Sequence, residues 1–412
     1  MTHPPRLTVK SLWRLYHAAQ SLLKSGQTED AASHFERIAA ARVRKPRGAQ
    51  PGSFDPENPL VAQARLGLCY CYVEQGQLEE ALRELNRVLE LEPTNAEALC
   101  ELAYIFCLRG RRSEAKSALE SAVRHNPENA KAHKALGLFF LQDDDLDHAI
   151  EECRAAVHCD PSYDSAHVEL AMALSKAGRF DDAVRSMSRA LQLAPKNADY
   201  YNSLAALLRE THRLEDAQGI LNLGLCLAPE NRELLEAMAE IQLELGSPDR
   251  AIEFAQRLLR FSGNSLAARD VLGVAYLQQG RLNEALRMAD QMVTLNPLDP
   301  SHHFKKAVLF QQQGMLREAL AEFSQVTNLA PESEMADEAL QAIEYLDNHQ
   351  MRQIMLLASE DLVFRARLRR DAVGAVGERG FFLSEMGQAA LQSVDFDGFA
   401  AHYSWSQPAV YN

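Results

Sequence analysis

Large and small apolar residues share one helical face at i, i+1 and i+4 in stretch after stretch of this chain, as Leu136, Gly137 and Phe140, and again as Leu272, Gly273 and Tyr276. A face of that kind lets a second helix nest close by, so each stretch predicts a helix pair. The pairs recur on a lattice. Loop prolines stand at Pro59, Pro93, Pro127, Pro161, Pro195, Pro229, Pro297 and Pro331, every gap being 34 residues except one double gap with Gly263 at the missing node. Alanines keep the same phase at Ala81, Ala115, Ala149, Ala183, Ala217, Ala251, Ala285 and Ala319. Glycines follow at Gly76, Gly110, Gly178, Gly246, Gly280 and Gly314, replaced by Asp144 and His212 in two units. A fourth column is apolar, from Leu68, Leu102, Leu136, Leu170 and Leu204 through Met238 to Leu272, and Lys306 breaks it.

Each column has a physical reason. The glycine ends the first helix of a pair, because it adopts a left-handed cap without steric cost. The alanine lies early in the second helix, where the helices approach most closely and a larger side chain would wedge them apart. The proline starts the turn into the next unit. The pattern resembles the tetratricopeptide repeat, a 34-residue helix-turn-helix unit, over eight contiguous units: 62–95, 96–129, 130–163, 164–197, 198–231, 232–265, 266–299 and 300–333. A ninth, weaker unit occupies about 12–45, with Leu15, Ala18, Ala19, Leu22, Gly26, Ala31 and Phe35 at the matching places. The resemblance implies an all-α, right-handed α-solenoid with a helical C-terminal cap. It divides the chain into an N-terminal helix pair (1–45), a flexible insertion (46–61) rich in proline and glycine, the eight-unit array (62–333), and a cap and tail (334–412).

The family's usual tryptophan near the start of each first helix is missing. Arg65, Leu99, His133, His167, Tyr201, Leu235, Arg269 and His303 stand there instead, which predicts looser packing. Lys306 predicts either strain in the last unit or a contact with the segment that follows. Beyond 333, Met335, Ala339, Leu340, Ile343 and Leu346 predict a helix over 334–347 covering the end of the array, with further helices at about 349–370 and 384–394. Residues 361–371, Gly380-Phe-Phe-Leu-Ser384 and Leu391 resemble the leader segment of some bacterial modified-peptide precursors; the alternative is a short helical appendix. Phe396, Phe399, Tyr403, Trp405 and Tyr411 read as a loose tail or a docking strip.

Composition narrows the function. An apolar share of 47% excludes wholesale disorder, and 412 residues exceed one compact domain unless the chain is a repeat array. Residues 61–348 carry 28 Lys and Arg against 45 Asp and Glu, an acidic body that disfavours nucleic acid and anionic lipid. No apolar run of eighteen residues and no secretion-signal layout occur, so a soluble, cytoplasmic protein without membrane insertion is expected. The seven cysteines, an odd number with no Cys-x-x-Cys pair, fit a reducing compartment.

No phosphate loop, nucleophile elbow or zinc-binding His-Glu-x-x-His helix is found, so neither catalysis nor a cofactor or metal is expected. His133 and His167 occupy equivalent places one repeat apart, about 8–10 Å by helix packing, too far to share a metal. Cys153 and Cys159 align poorly on one helix and read as buried thiols. Binding is different, because the resemblance implies that positions 2, 5, 9, 12 and 13 of each unit face a concave groove. Those positions hold Tyr70, Glu74, Glu97, Tyr104, Lys131, Lys134, Lys176, Asp199, Asn202, Arg209, Glu210, Glu233, Glu236, Glu240, Glu244 and Asp270. Neither a carboxylate clamp nor a stacked asparagine ladder is reproduced at successive units, which argues against chaperone-tail recognition and glycosyl transfer. The expected function is a non-catalytic scaffold holding a protein or peptide, with Glu233, Glu236, Glu240 and Glu244 on one helix face suited to a Lys/Arg-rich partner. The alternative is an adaptor or chaperone-like regulator of a secretion, peptide-maturation or signalling system. Its C-terminal segment would be recognised by others or compete for the groove through Arg365, Arg367, Arg369 and Arg370 beside Phe364 and Leu368.

Overall fold

The computed structural model describes residues 9–41 and 59–396, and among these all regular structure is helical. The chain forms two compact units that divide after Thr211. The first contains α1 (Val9–Lys24), α2 (Thr28–Ala39), α3 (Pro59–Glu74), α4 (Leu78–Leu91), α5 (Ala96–Leu108), α6 (Arg112–His125), α7 (Ala130–Gln142), α8 (Leu146–Cys159), α9 (Asp164–Lys176), α10 (Phe180–Leu193) and α11 (Ala198–Glu210). The second contains α12 (Leu214–Leu227), α13 (Arg232–Glu244), α14 (Pro248–Phe261), α15 (Leu266–Gln278), α16 (Leu282–Leu295), α17 (Pro300–Gln312) and α18 (Leu316–Leu329). It continues with α19 (Glu334–Glu360), α20 (Leu362–Arg370), α21 (Ala372–Glu378) and α22 (Glu385–Gln392). Within each unit consecutive helices pack against one another, the all-α repeat architecture of a solenoid.

The four columns act as their chemistry requires. Gly76, Gly110, Gly178, Gly246, Gly280 and Gly314 have φ between 67° and 73°, and Asp144 and His212 adopt the same left-handed turn at 60° and 56°. All eight column alanines are 0–1% exposed. Substituting Ala183 with Leu is therefore expected to overpack the α9–α10 pair and lower stability by about 1–3 kcal/mol. Calorimetry would show this as a lower Tm, and an unchanged Tm would refute the assigned register.

A further column is visible only in three dimensions. The last residue of each unit caps the next first helix: Asn95, Asn129 and Asn231 accept from the amides of Ala98, Ala132 and Leu234 at 2.8–3.1 Å, and Ser265 and Ser333 do the same for α15 and α19. Tyr163 stands at the equivalent place before α9 and supplies no such bond.

Both ends depart from expectation. α3 begins at Pro59, so 59–61 form its first turn rather than part of an insertion; proline suits that place because its missing N–H would be unpaired there anyway. The remainder of the expected insertion, 46–58, lies outside the described residues, as do Phe399, Tyr403, Trp405 and Tyr411. At the other end, α19 runs unbroken through 348 to Glu360, and the chain breaks at Asp361, whose carboxylate caps α20 through the amides of Val363 and Phe364. The first half of α19 buries Ala339, Ile343 and Leu346 against α17 and α18. Its second half builds a separate small core with α20, α21 and α22, in which Phe364, Leu368 and Phe396 are at most 5% exposed. The apolar edge that a competing C-terminal segment would need is thus spent inside the cap. Asp347 and Gln350 of α19 hold the extended stretch before α22: Gln350 exchanges two hydrogen bonds with the backbone of Phe382 at 2.6 and 2.8 Å, and Asp347 accepts from the amide and hydroxyl of Ser384.

Candidate functional site

A first helix turns positions 4, 7, 8 and 11 inward, and what remains faces away from its second helix. None of the sixteen residues expected on that face is buried. In the first unit the ninth position holds a run of large apolar side chains left in solvent: Tyr70 is 49% exposed, Tyr104 52% and Met172 45%, with half-buried Leu138 between the last two. Glu97 and Lys131, equivalent residues of α5 and α7, lie 3.9 Å apart. Lys134 donates to the Ser165 hydroxyl at 3.2 Å and sits 5.5 Å from the ring centre of Tyr163. Lys176 reaches Asp144 at 3.9 Å. Glu74 of α3 and Asp199 and Glu210 of α11 are exposed, and Asn202 is half-buried.

Beside this column two carboxyls are placed against their preference. Burial and then the charge of Glu97 push the Glu101 carboxyl above its ordinary value, against the partial relief of Lys131. Burial also raises Glu169, whose Oε2 has no hydrogen-bond partner, while Lys134 pulls the other way. A carboxyl raised in the folded state opposes folding once pH exceeds the ordinary carboxylate range, and does so no longer when both states are protonated. The pair Glu101→Gln and Glu169→Gln is therefore expected to raise Tm at neutral pH. The gain should vanish in acid below that range; a gain independent of pH would assign it to packing instead.

In the second unit Glu233, Glu236, Glu240 and Glu244 do share one face of α13. Burial and the neighbouring charges of Glu240 and Glu233 raise the Glu236 carboxyl, with Arg232 opposing. Asp270, one repeat on, is paired with Lys305 of α17. Between α15 and α17 opens an apolar cleft of about 370 Å³.

Two features escaped sequence reasoning. The place of the missing tryptophan is a polar clasp: His133, His167, Tyr201, Arg269 and His303 each reach the loop carbonyl six residues earlier, at 2.7–3.2 Å, and so tie the first helix to the turn before it. Arg65, His133 and His303 also meet a glutamate nineteen residues on, Glu84, Glu152 and Glu322, at 2.6–2.7 Å. Leu99 and Leu235 pack there as plain apolar residues. The polarity of that column was the available signal. Lys306, likewise, does not meet the following segment but bridges Asp290 at 2.9 Å and Glu322 at 2.8 Å. Burial would lower its pKa, and the two hydrogen bonds more than compensate, holding it above the ordinary lysine value.

Three buried or half-buried thiols are poor nucleophiles. Burial, first among the causes, pushes Cys69, Cys100 and Cys153 up to about 12. Among the described residues, no three His, Cys, Asp or Glu side chains converge as metal ligands, and no helix is long and apolar enough to cross a membrane.

Comparison with known proteins places the repeat. A family profile described as tetratricopeptide repeat matches residues 100–164 and 271–334, a second of the same description matches 140–208 and 174–226, and one described as TPR repeat matches 70–110. No curated protein matches the sequence. Among solved structures, the chain is similar to pilF of Pseudomonas aeruginosa at 23% identity, covering 52% of this chain and 96% of that one with a TM-score of 0.42. It is similar to the APC/C hetero-tetramer Cut9–Hcn1 at 15% identity, covering 80% and 75% with a TM-score of 0.44. A third is YrrB, described as a TPR protein with an unusual peptide-binding site, at 20% identity, covering 47% and 100% with a TM-score of 0.37. With the 34-residue columns, the left-handed turns and these profile matches in agreement, the chain belongs to the tetratricopeptide-repeat family.

Proposed function

We propose that this protein is a non-catalytic scaffold that holds a polypeptide segment against the outward faces of its first helices. The observation that carries the reading is the ninth-position column of the first unit. Tyr70, Tyr104 and Met172 stand about half exposed at equivalent places in a lattice that leaves only a minority of its other large apolar side chains exposed, and aromatic side chains presented this way serve as anchors in protein interfaces. Acidic α13 in the second unit favours Lys or Arg in the bound segment through charge complementarity. A display library of random linear peptides selected on the full chain tests both points. Enrichment is expected, and Tyr70→Ser with Tyr104→Ser should weaken peptides bound to the first unit by at least about tenfold. Reversing charge at Glu236 and Glu240 should flatten the salt dependence of basic peptides. Failure of any peptide to enrich over bare matrix would sink the scaffold reading.

The adaptor reading draws support from the cap, where Leu362 and Val363 are each 65% exposed at the start of α20. That surface suits recognition of the C-terminal segment by another protein.

A further inference from the structure

The backbones of α13 and α15 approach closely, whereas α15 and α17, also first helices of consecutive repeats, do so less. The gap between them is the 370 Å³ cleft. Its floor is made by Ala285 and Ala289 of α16, small because the second helix must nest there, and its walls by Gly273, Val274, Phe304 and Val308. Gly273 has no side chain to fill the space, and a Cβ built on it would meet nothing nearer than the Cβ of Met288 at 3.8 Å. The cleft is therefore a by-product of the repeat's own small positions, left open where the next first helix stands away.

Polar groups at the rim are largely occupied. Asp270 is paired with Lys305, and Arg269 donates to the carbonyls of Gly263 and Ser265 and to the side chain of Gln291. Net negative charge comes from one helix away, where Glu233 and Glu236 stand on α13. Glu236 is the repeat equivalent of Asp270, so the spacing between them is about 8–10 Å, one helix-packing distance. Apolar hollow and acidic face are thus separated by little more than the reach of neighbouring side chains on one bound segment.

We infer that this cleft takes a bulky apolar side chain, aromatic or long aliphatic, from a partner polypeptide that carries Lys or Arg close to that anchor, with the cation facing Glu233 and Glu236 of α13. The inference rests on the scaffold reading and narrows it to one subsite and one side-chain class. The volume lies at the small end of ligand cavities, enough for one anchor side chain rather than a folded element. Crowding of the α13 carboxyls, seen in the raised Glu236, is relieved by a cation. Residues 397–412 contain Trp405 and three other aromatic residues but no Lys or Arg, so the chain's own end lacks the basic half of the match.

The test is selection of the random peptide library on the full chain, on a chain shortened to residue 396 and on three substituted variants. Gly273→Leu fills the cleft; Gly273→Ala leaves it open while giving the same gain in helix propensity over glycine, and thermal melting of both checks that the fold is kept. Glu233→Gln with Glu236→Gln removes the acidic face. On the wild type, peptides with a bulky apolar residue near Lys or Arg should enrich. Their affinity should be kept by Gly273→Ala and fall at least about tenfold on Gly273→Leu. The glutamine pair should keep the apolar preference and lose the basic one. Peptides that enrich on the wild type but bind Gly273→Leu equally well would overturn the subsite and leave the scaffold standing; no enrichment either on the wild type or on a chain shortened to residue 396 removes both. Retention of the basic preference in the glutamine pair overturns the assigned charge complementarity. If peptides bind only after removal of 397–412, the chain's own end is the occupant and an external partner is ruled out for this cleft.

Discussion

Phe35→Ala is expected to lower stability by about 3–5 kcal/mol, with the loss confined to the N-terminal end of the array. Phe35 of α2 is 1% exposed, and its ring lies on the bare backbone of Gly67 in α3, where a Cβ would come within 2.6 Å of the ring. Tyr16 meets the ring edge-on with centroids 5.9 Å apart. This stacking joins the weak first helix pair to the regular units, since the core around Phe35 is shared between Leu12 and Ala19 of α1, Ile38 of α2, and Leu60, Ala64 and Leu68 of α3. A repeat array distributes stability over nearest-neighbour interfaces, so the damage should not spread. Hydrogen exchange should show α1 and α2 losing protection while α7 to α10 keep theirs. Uniform loss along the first unit would show that it folds as one cooperative block. Gly67→Ala, which presses the same ring from the other side, should act in the same direction.

Glu322→Ala should be comparably severe, at about 3–5 kcal/mol, because it removes at once the partner of buried His303 and of half-buried Lys306. His303 Nδ1 lies 2.7 Å from one oxygen of Glu322 and Lys306 Nζ 2.8 Å from the other, and the side chains of Glu322 and Lys306 are 16% and 17% exposed. Without Glu322, Lys306 keeps only Asp290, and its ammonium is left partly desolvated over the ring of Phe310. The matched control is Glu152→Ala, where His133 alone depends on the carboxylate. That loss should be the smaller, about 1–2 kcal/mol, the size of one buried hydrogen bond left unmade. Equal losses in denaturant unfolding would show that Lys306 is not coupled to Glu322.

These two cases mark where sequence reasoning stops. The column of missing tryptophans reads as a packing deficit when only residue size is considered. In the folded protein the same column supplies donors to the loop carbonyl six residues earlier, because the turn between units folds back over the start of the first helix. Lys306 looks like a defect in an apolar column, yet it answers Asp290 and Glu322, acidic residues sixteen positions away on either side. Neither partner is adjacent in sequence. Pairings of this kind depend on which second-helix face meets the first helix, and the helical period alone leaves that open.

The register of the repeats, the turn positions and the inward faces were determined by the sequence itself. They arise from interactions within a few residues, such as i to i+4 packing and a left-handed cap, repeated every 34 positions until the phase admits one solution. The acidic face of α13 was legible for the same reason, since spacings of three and four residues place side chains together on any helix. Tertiary structure alone decided the continuity of α19 through 348, because its second half is held by a core assembled from α20, α21 and α22 far along the chain. It also decided the fate of the C-terminal apolar edge, which that core buries. The cleft between α15 and α17 belongs to the same class: small residues at Gly273, Ala285 and Ala289 permit close helix packing as readily as a hollow, and the distance between two helices one repeat apart chose the hollow.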